Sequence, residues 1–252
     1  MPEKWRLLPW TNQRGALQMG SDEAMATAIG QGQAPPTLRF YGWEPSCISI
    51  GYFQSLTREV DTQKAEELGI DVVRRYTGGG AVFHEYEITY ALAAPLTFFP
   101  GDVLSSYHRI LAGQILALKA LGITATFSGL NDLTTDGRKI SGSAQTRRGG
   151  VLLQHGTLLL RVDAPRMFSL LLIPDEKIRD KMIQSVSERV TSLEQILGSI
   201  PPRERLLEVL SHGFSEALEV SLEAGELSTP EKELARELEA QKYGHASWTG
   251  RR

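Results

Sequence analysis

The stretch "VVRRYTGGGAVFHEYEITY", residues 72–90, decides how the rest of the chain is read. Gly78, Gly79 and Gly80 stand in a row between the pair Arg74–Arg75 and an apolar run that ends in His84. Glycine gives up more backbone freedom on ordering than any other residue. A row of three is therefore costly, unless bare backbone is needed to approach something closely. Successive N–H groups without side chains form a surface for an anion or a flat ligand. The two arginines add fixed charge suited to phosphate or carboxylate. The plainer reading is a tight turn between strands with two surface arginines, and the strand–loop–strand setting favours a binding loop over it. No Gly-Lys-Ser/Thr ending follows, and the Gly-x-Gly-x-x-Gly pattern is absent, so neither common nucleotide loop fits.

Outward from this loop, "TLRFYGWEPSCISIGYFQ" (37–54) reads as two β segments joined around Trp43-Glu44-Pro45. Cys47, Ser49 and Gly51 alternate there with Ile48, Ile50 and Tyr52, the period of a strand. "GSDEAMATAI" (20–29) predicts a helix starting at Ser21, and "TREVDTQKAEELGI" (57–70) one stopped by Gly69. "SSYHRILAGQILALKALGI" (105–123) lays Tyr107, Ile110, Leu111, Ile115, Leu118 and Leu121 along one helical face. Asp136-Gly137 between two β-like runs is a strong hairpin signal. "VLLQHGTLLLRV" (151–162) is apolar enough for a buried strand. The irregular alternation of helices and strands predicts a mixed α/β (α+β) fold with largely antiparallel or mixed sheets. After Pro201-Pro202 the chain turns charged and helical. We place a soft boundary there, between a main domain, 1–200, and a smaller region, 201–252, that packs on it.

Composition narrows the function classes. The 252 residues carry 27 Lys plus Arg against 30 Asp plus Glu, a formal charge of -3. That balance gives no general attraction to nucleic acid or to anionic membrane. No apolar stretch reaches bilayer length and no signal peptide is read at the start, so the expected compartment is the cytoplasm. Cys47 is the sole cysteine, which excludes an internal disulfide and a multi-cysteine metal site. Its neighbours supply no cation or helix start to activate a thiol, and we read it as a small buried hydrophobe. The default oligomeric state is a monomer.

In the hairpin, strand alternation sets Lys139, Ser141 and Ser143 on one face, with Ile140, Gly142 and Ala144 on the other. A lysine among small neighbours is a point charge in open space, suited to an acyl carboxylate and an α-phosphate; the plainer reading is a solvated tip. Asn131-Asp132 just before it is either a turn-forming pair or, through Asp132, part of a site for Mg²⁺. His155 and His84 are, by residue type alone, core histidines more often than catalysts. In "SVSERVTSL" (185–193), hydroxyls flank Arg189, which either closes over a nucleotide or precedes a helix capped by Thr191 or Ser192.

Taken in order, "RFYGWEPSCISIGYFQ", "RRYTGGGAVFH", "LNDLTTDGRKISGSAQTRRGGVLLQHGTLLL" and "SVSERVTSL" resemble the lipoate-protein ligases and related octanoyltransferases, which share a fold with biotin protein ligases. The matches span roughly residues 15 to 195. The resemblance implies a glycine loop, with Arg74, Arg75, Thr77, Gly78, Gly79, Gly80, Val82 and His84, over the acyl chain and phosphate of an acyl-adenylate. It implies Lys139 as the catalytic lysine and Asp132 as the Mg²⁺ ligand. Asn131, Ser141, Gly142, Ser143 and Ala144 would line the hairpin side, and His155, Gly156 and Thr157 the strand that floors the pocket. Arg189 would lie in the closing loop.

The related octanoyltransferases work through a cysteine thioester. In the type of similar length that cysteine lies just upstream of the hairpin, where this chain has "TATFSGLND"; the other type places it near "SGSAQTRR". Neither stretch holds a cysteine. We therefore expect an ATP-dependent lipoate-protein ligase. It would adenylate lipoate or octanoate with Mg²⁺-ATP to an acyl-AMP such as lipoyl-AMP, then pass the acyl group to a lysine of an apo lipoyl-domain protein. The alternative is an octanoyl or lipoyl transferase acting by a cysteine thioester on Cys47. The accessory C-terminal domain of long ligases has only ~50 residues here to correspond to it, and 201–252 is expected to be a reduced version.

Overall fold

In the computed structural model, which describes residues 2–172 and 176–252, strands and helices alternate irregularly along the chain. In order they are β1 (Glu3–Leu7), β2 (Thr11–Gln13), α1 (Gly15–Gly30), β3 (Thr37–Trp43), β4 (Cys47–Ile50), α2 (Leu56–Glu59) and α3 (Thr62–Glu67). Then come β5 (Asp71–Arg74), β6 (Val82–His84), β7 (Glu87–Pro95), α4 (Val103–Ala120), β8 (Thr126–Ser128), β9 (Asp132–Thr135), β10 (Arg138–Arg148) and β11 (Val151–Leu159). The chain ends with α5 (Ala164–Leu170), α6 (Glu176–Arg189), α7 (Leu193–Leu197), α8 (Arg203–Leu218), β12 (Val220–Ala224), α9 (Thr229–Leu238) and α10 (Ala246–Thr249).

The large sheet has nine strands in the order β12-β1-β3-β7-β11-β10-β9-β8, with β2 added beside β3. Its centre is antiparallel and its β12-β1-β3 edge parallel, so the fold is the mixed α+β class expected. β3, β7 and β11 are buried nearly throughout, because α4 and α8 cover one face and α1 the other. α4 and α8 touch backbone to backbone at Gly113 and Gly213. A methyl group at Gly113 would lie 2.8 Å from the Phe214 ring, which burial there stabilises by roughly 2–3 kcal/mol. The segment after residue 200 contributes β12 to this same sheet, paired in register with β1 from Glu3↔Val220 to Leu7↔Ala224. α9 begins with a capping box, Ser228 and Glu231, and the same Glu231 forms a buried ion pair with Arg6 at 2.6 Å.

The second sheet is small, in the order β5-β4-β6, and packs Ile48, Ile50, Val60, Ala65 and Leu170 into a core of its own. The glycine loop runs from its strand β5 to its strand β6. The hairpin is closed by Asp136 and Gly137, both at positive φ (48° and 73°), as the sequence signal required. α1 differs from its expectation. It starts at Gly15, and Ser21 sits buried in mid-helix. Much of its circumference is buried, so it carries no clean apolar stripe from which to read its start. The 57–70 helix is two short pieces, α2 and α3, broken at Val60.

Candidate functional site

A cavity of about 350 Å³ opens between the two sheets, within the size range of small-ligand sites. Met19, Tyr41, Trp43, Val82, Phe83 and Leu159 give it apolar walls; Arg75, Gly79 and Gly80 bring in the glycine loop. β10 and β11 supply Lys139, Gly142, Ser143, Ala144, His155, Gly156 and Thr157, and Asn131 and Asp132 stand beside them. Val186 and Val190, at the end of α6, line it as well. Of the residues expected at the site, fourteen line this cavity: Arg75, Gly79, Gly80, Val82, His84, Asn131, Asp132, Lys139, Gly142, Ser143, Ala144, His155, Gly156 and Thr157.

Five do not, and each for a physical reason. Arg74 is fully buried and donates to the carbonyls of Gly51, Tyr52 and Gln54 at 2.6–3.2 Å on one side. On the other it reaches the carbonyls of Trp248 and Thr249, so it clasps the C-terminal segment to the small sheet. Thr77 is buried with its hydroxyl 2.7 Å from Nε2 of His155. Gly78 turns its carbonyl to Arg75. Ser141 departs because β10 carries a bulge, a register shift between Lys139 and Ser141. One extra residue exchanges the faces of a strand. Ser141 therefore bonds Gln114 of α4 at 2.8 Å, in the core, while the Lys139 side chain lies across Gly142, where an added methyl would meet Nζ at 2.8 Å. Arg189 is exposed on α6. The segment around it is tied down through its backbone, Thr191 N–H donating to the Lys139 carbonyl at 2.8 Å, and Ser192 caps α7.

Two buried polar chains stand behind the cavity wall. In the first, Arg39 pairs with Asp22 at 3.1 Å, Asp22 accepts from the Tyr41 hydroxyl, and its Oδ2 lies 3.2 Å from Nδ1 of His155. Burial lowers the His155 pKa below its ordinary value, against the pull of Asp22. A neutral ring then donates to Asp22 and accepts from Thr77. In the second, Nδ1 of His84 meets Glu87 at 2.6 Å and Nε2 meets the Ser49 hydroxyl at 2.5 Å. Glu87 also accepts from Trp43 and Thr89, and Trp43 stacks on the His84 ring at 4.0 Å. Arg75 joins this chain to the loop, donating to Ser49 and to the carbonyls of Gly78 and Gly80. Its burial pushes its pKa down to about 10, still charged at neutral pH.

Sequence reasoning missed Asp22, Arg39 and Glu87. Arg39 and Glu87 were legible in principle, since each is the lone charge in an otherwise uncharged strand and a buried charge needs a partner. Asp22, within a helix, gave no such signal.

At the mouth the Lys139 ammonium is 2.8 Å from Asp132, both groups about one-third exposed. The Asn131 amide donates to the Ser143 carbonyl. Magnesium takes roughly six oxygen ligands in a near-octahedral shell. A carboxylate already engaged by an ammonium does not provide that, and no cluster of three or more His, Cys, Asp or Glu suited to a metal occurs among the described residues. The arrangement is a cation held at the rim of a cavity with apolar walls.

Residues 14–215 match the family of the lipoyl protein ligase A/B catalytic domain. The chain belongs to that family. Relatives over the whole length include an octanoyltransferase LipM of Kyrpidia tusciae, 38% identical over 99% of this chain and 100% of the relative. Another, from Symbiobacterium thermophilum, is 36% identical over 100% of both. Among solved structures, a bi-partite lipoate protein ligase from Thermoplasma acidophilum, studied with its E2 lipoyl domain, is 32% identical with a TM-score of 0.90 over 98% of this chain and 97% of that one. A lipoate-protein ligase A bound with ATP is 27% identical, with a TM-score of 0.84 over 99% of each. The fold is thus that of the lipoate-protein ligases within the lipoyl protein ligase A/B family, as the motifs implied.

The expected ATP-dependent ligase activity is corrected by these relatives. The curated full-length relatives, at 38% and 36% identity, are named octanoyltransferases. A transferase takes an acyl group that is already activated. The inference to a ligase rested on a missing cysteine and on the likeness of "LNDL", with Asn131-Asp132, to the ligase version of that region, and neither by itself requires a nucleotide. No helix among the described residues is long and apolar enough to cross a membrane.

Proposed function

We propose that this chain is an octanoyltransferase of lipoyl-group assembly, moving an octanoyl group from an activated donor onto a lysine of a lipoyl-domain protein. The observation that carries the reading is full-length similarity to octanoyltransferases in a chain whose cavity is apolar along its walls and cationic at its mouth. The octanoyl tail lies against Trp43, Val82, Phe83 and Leu159, and its burial supplies about 0.8 kcal/mol per methylene. The carbonyl stands at Lys139, whose ammonium stabilises negative charge developing on oxygen. Arg75 holds the glycine loop as the remaining wall. The acceptor is drawn from the similar bi-partite lipoate protein ligase of Thermoplasma acidophilum, which was analysed with its E2 lipoyl domain. To test the reading, the protein is incubated with an octanoyl thioester of a carrier protein and an apo lipoyl domain. The domain gains one octanoyl mass on its lysine; a domain unchanged in mass contradicts the proposal.

A further inference from the structure

The glycine loop walls the cavity through Gly79 and Gly80, so the shape of that space depends on what fixes the base of the loop. Two backbone bonds tie the base to the segment that follows β4. Arg75 N–H donates to the Ile50 carbonyl at 2.8 Å, and Tyr52 N–H donates to the Thr77 carbonyl at 2.9 Å. Thr77 in turn meets His155 of the cavity wall at 2.7 Å. Residues 51–54 are therefore the footing of the loop, and they lie beyond the end of β4, outside both sheets.

That footing is held from a distant part of the sequence. The Arg251 guanidinium donates to the Tyr52 carbonyl at 3.0 Å and lies against two rings, 3.7 Å from the centre of Tyr52 and 4.2 Å from that of Trp248. Trp248 donates from Nε1 to the Arg74 carbonyl at 3.0 Å, and the Arg74 side chain returns to the Trp248 and Thr249 carbonyls. Leu56 N–H donates to the Arg252 carbonyl at 3.2 Å. On the other flank Lys242 stands 4.6 Å from the centre of the Tyr76 ring and 4.4 Å from that of Trp248, its charge paired with Glu23 at 2.6 Å. Cations stacked on rings in this way are attracted to the ring face and hold the rings in place. No residue of 242–252 lines the cavity itself.

We propose that residues 242–252 are a clamp that positions the glycine loop, with Arg251 and Trp248 as positioning residues, and that this clamp sets the affinity for the acyl donor. The identity of the donor rests on the transferase reading above. Arg251 reaches the cavity only through Tyr52 and Thr77, so its loss acts on the site by letting the loop wall shift. Small misplacements of a positioning wall, made far from the chemistry, are costly. The reacting carbonyl and Lys139 are left as they are, so binding suffers more than turnover.

The test is steady-state transfer from an octanoyl-carrier thioester to an apo lipoyl domain. Beside it, hydrogen exchange is followed at the Tyr52 and Arg75 amides, which bond across the base of the loop. Arg251→Ala is expected to raise KM for the thioester about tenfold, as for the loss of one charge-assisted hydrogen bond, with kcat held within about twofold. Exchange at both amides should quicken by a similar factor. Arg251→Lys keeps a cation on the rings and a donor for the Tyr52 carbonyl, and should bring both readouts back toward the unmodified protein. Trp248→Phe keeps a ring and loses the bond to Arg74; it should show the same effects at smaller size, and it decides the matter where Arg251→Ala fails to fold. A lowered melting temperature with KM and amide exchange unchanged overturns the clamp and leaves the transferase reading standing. An unmodified protein that transfers nothing overturns that reading, while the exchange measurement, which needs no turnover, still decides the clamp.

Discussion

The guanidinium of Arg75 lies 2.9 Å from the carbonyl of Gly80, across the loop that walls the cavity. The same side chain reaches the carbonyls of Gly78 and Ser49, so one buried cation sets the shape of the loop and ties it to the His84–Glu87 chain. Gly79 lets this happen: its φ is 103°, and an added methyl group there would stand 3.1 Å from the Arg75 guanidinium.

Arg75→Gln removes that tie and leaves buried carbonyls without a donor, each worth about 1–3 kcal/mol. A loss of roughly 3 kcal/mol in unfolding free energy is expected from urea titration, with the KM for the octanoyl donor raised as well. Arg75→Lys should not rescue it, since an ammonium does not reproduce the planar fork that serves several carbonyls at once.

Gly51 lies directly under the loop, where an added methyl would overlap the Gly79 carbonyl and stand 2.9 Å from its carbon. Gly51→Ala therefore displaces the loop, an overpacking change of about 1–3 kcal/mol. Steady-state kinetics should show a raised KM for the acyl donor with a smaller change in kcat.

Lys139→Ala deletes the rim cation. Its side chain is 40% exposed, so the fold should tolerate the change. Removing a charge-stabilising donor costs about 10²–10³ in kcat, and single-turnover transfer assays should show that loss with the melting temperature unmoved.

How much of this could be read from the chain alone varied with the kind of interaction. Local chemistry was legible: Asp136-Gly137 forms the hairpin, and the 105–123 periodicity gives α4 at Val103–Ala120. The glycine motif does wall a cavity with Lys139 at its mouth. What escaped depends on tertiary register. Strand alternation paired Lys139 with Ser141, and the β10 bulge undid that pairing. Arg74 and Arg75 are adjacent and chemically alike, yet Arg74, the last residue of β5, reaches the C-terminal segment, while Arg75, the first residue after it, reaches the carbonyls of the loop. Asp22 meets His155 across 133 positions of sequence, a separation no local pattern reports.

His155 makes stability depend on pH. Burial lowers its folded-state pKa below the ordinary value of 6.5, so the unfolded chain binds the extra proton first. The contribution is present above about pH 6.5 and is lost as pH falls toward the lowered folded value. Denaturation midpoints should drop in that window, and His155→Gln should flatten the drop while lowering stability at neutral pH through the bonds lost to Asp22 and Thr77.

Whether the acyl group must arrive already activated separates a transferase from a ligase most directly. The measurement is the mass of an apo lipoyl domain after incubation with this protein and an octanoyl-carrier thioester in nucleotide-free buffer, against a parallel reaction with free octanoate and Mg²⁺-ATP. Octanoylation of the lysine in the first reaction, undiminished by a nucleotide-hydrolysing scavenger, is the predicted result. Octanoylation confined to the second would contradict it.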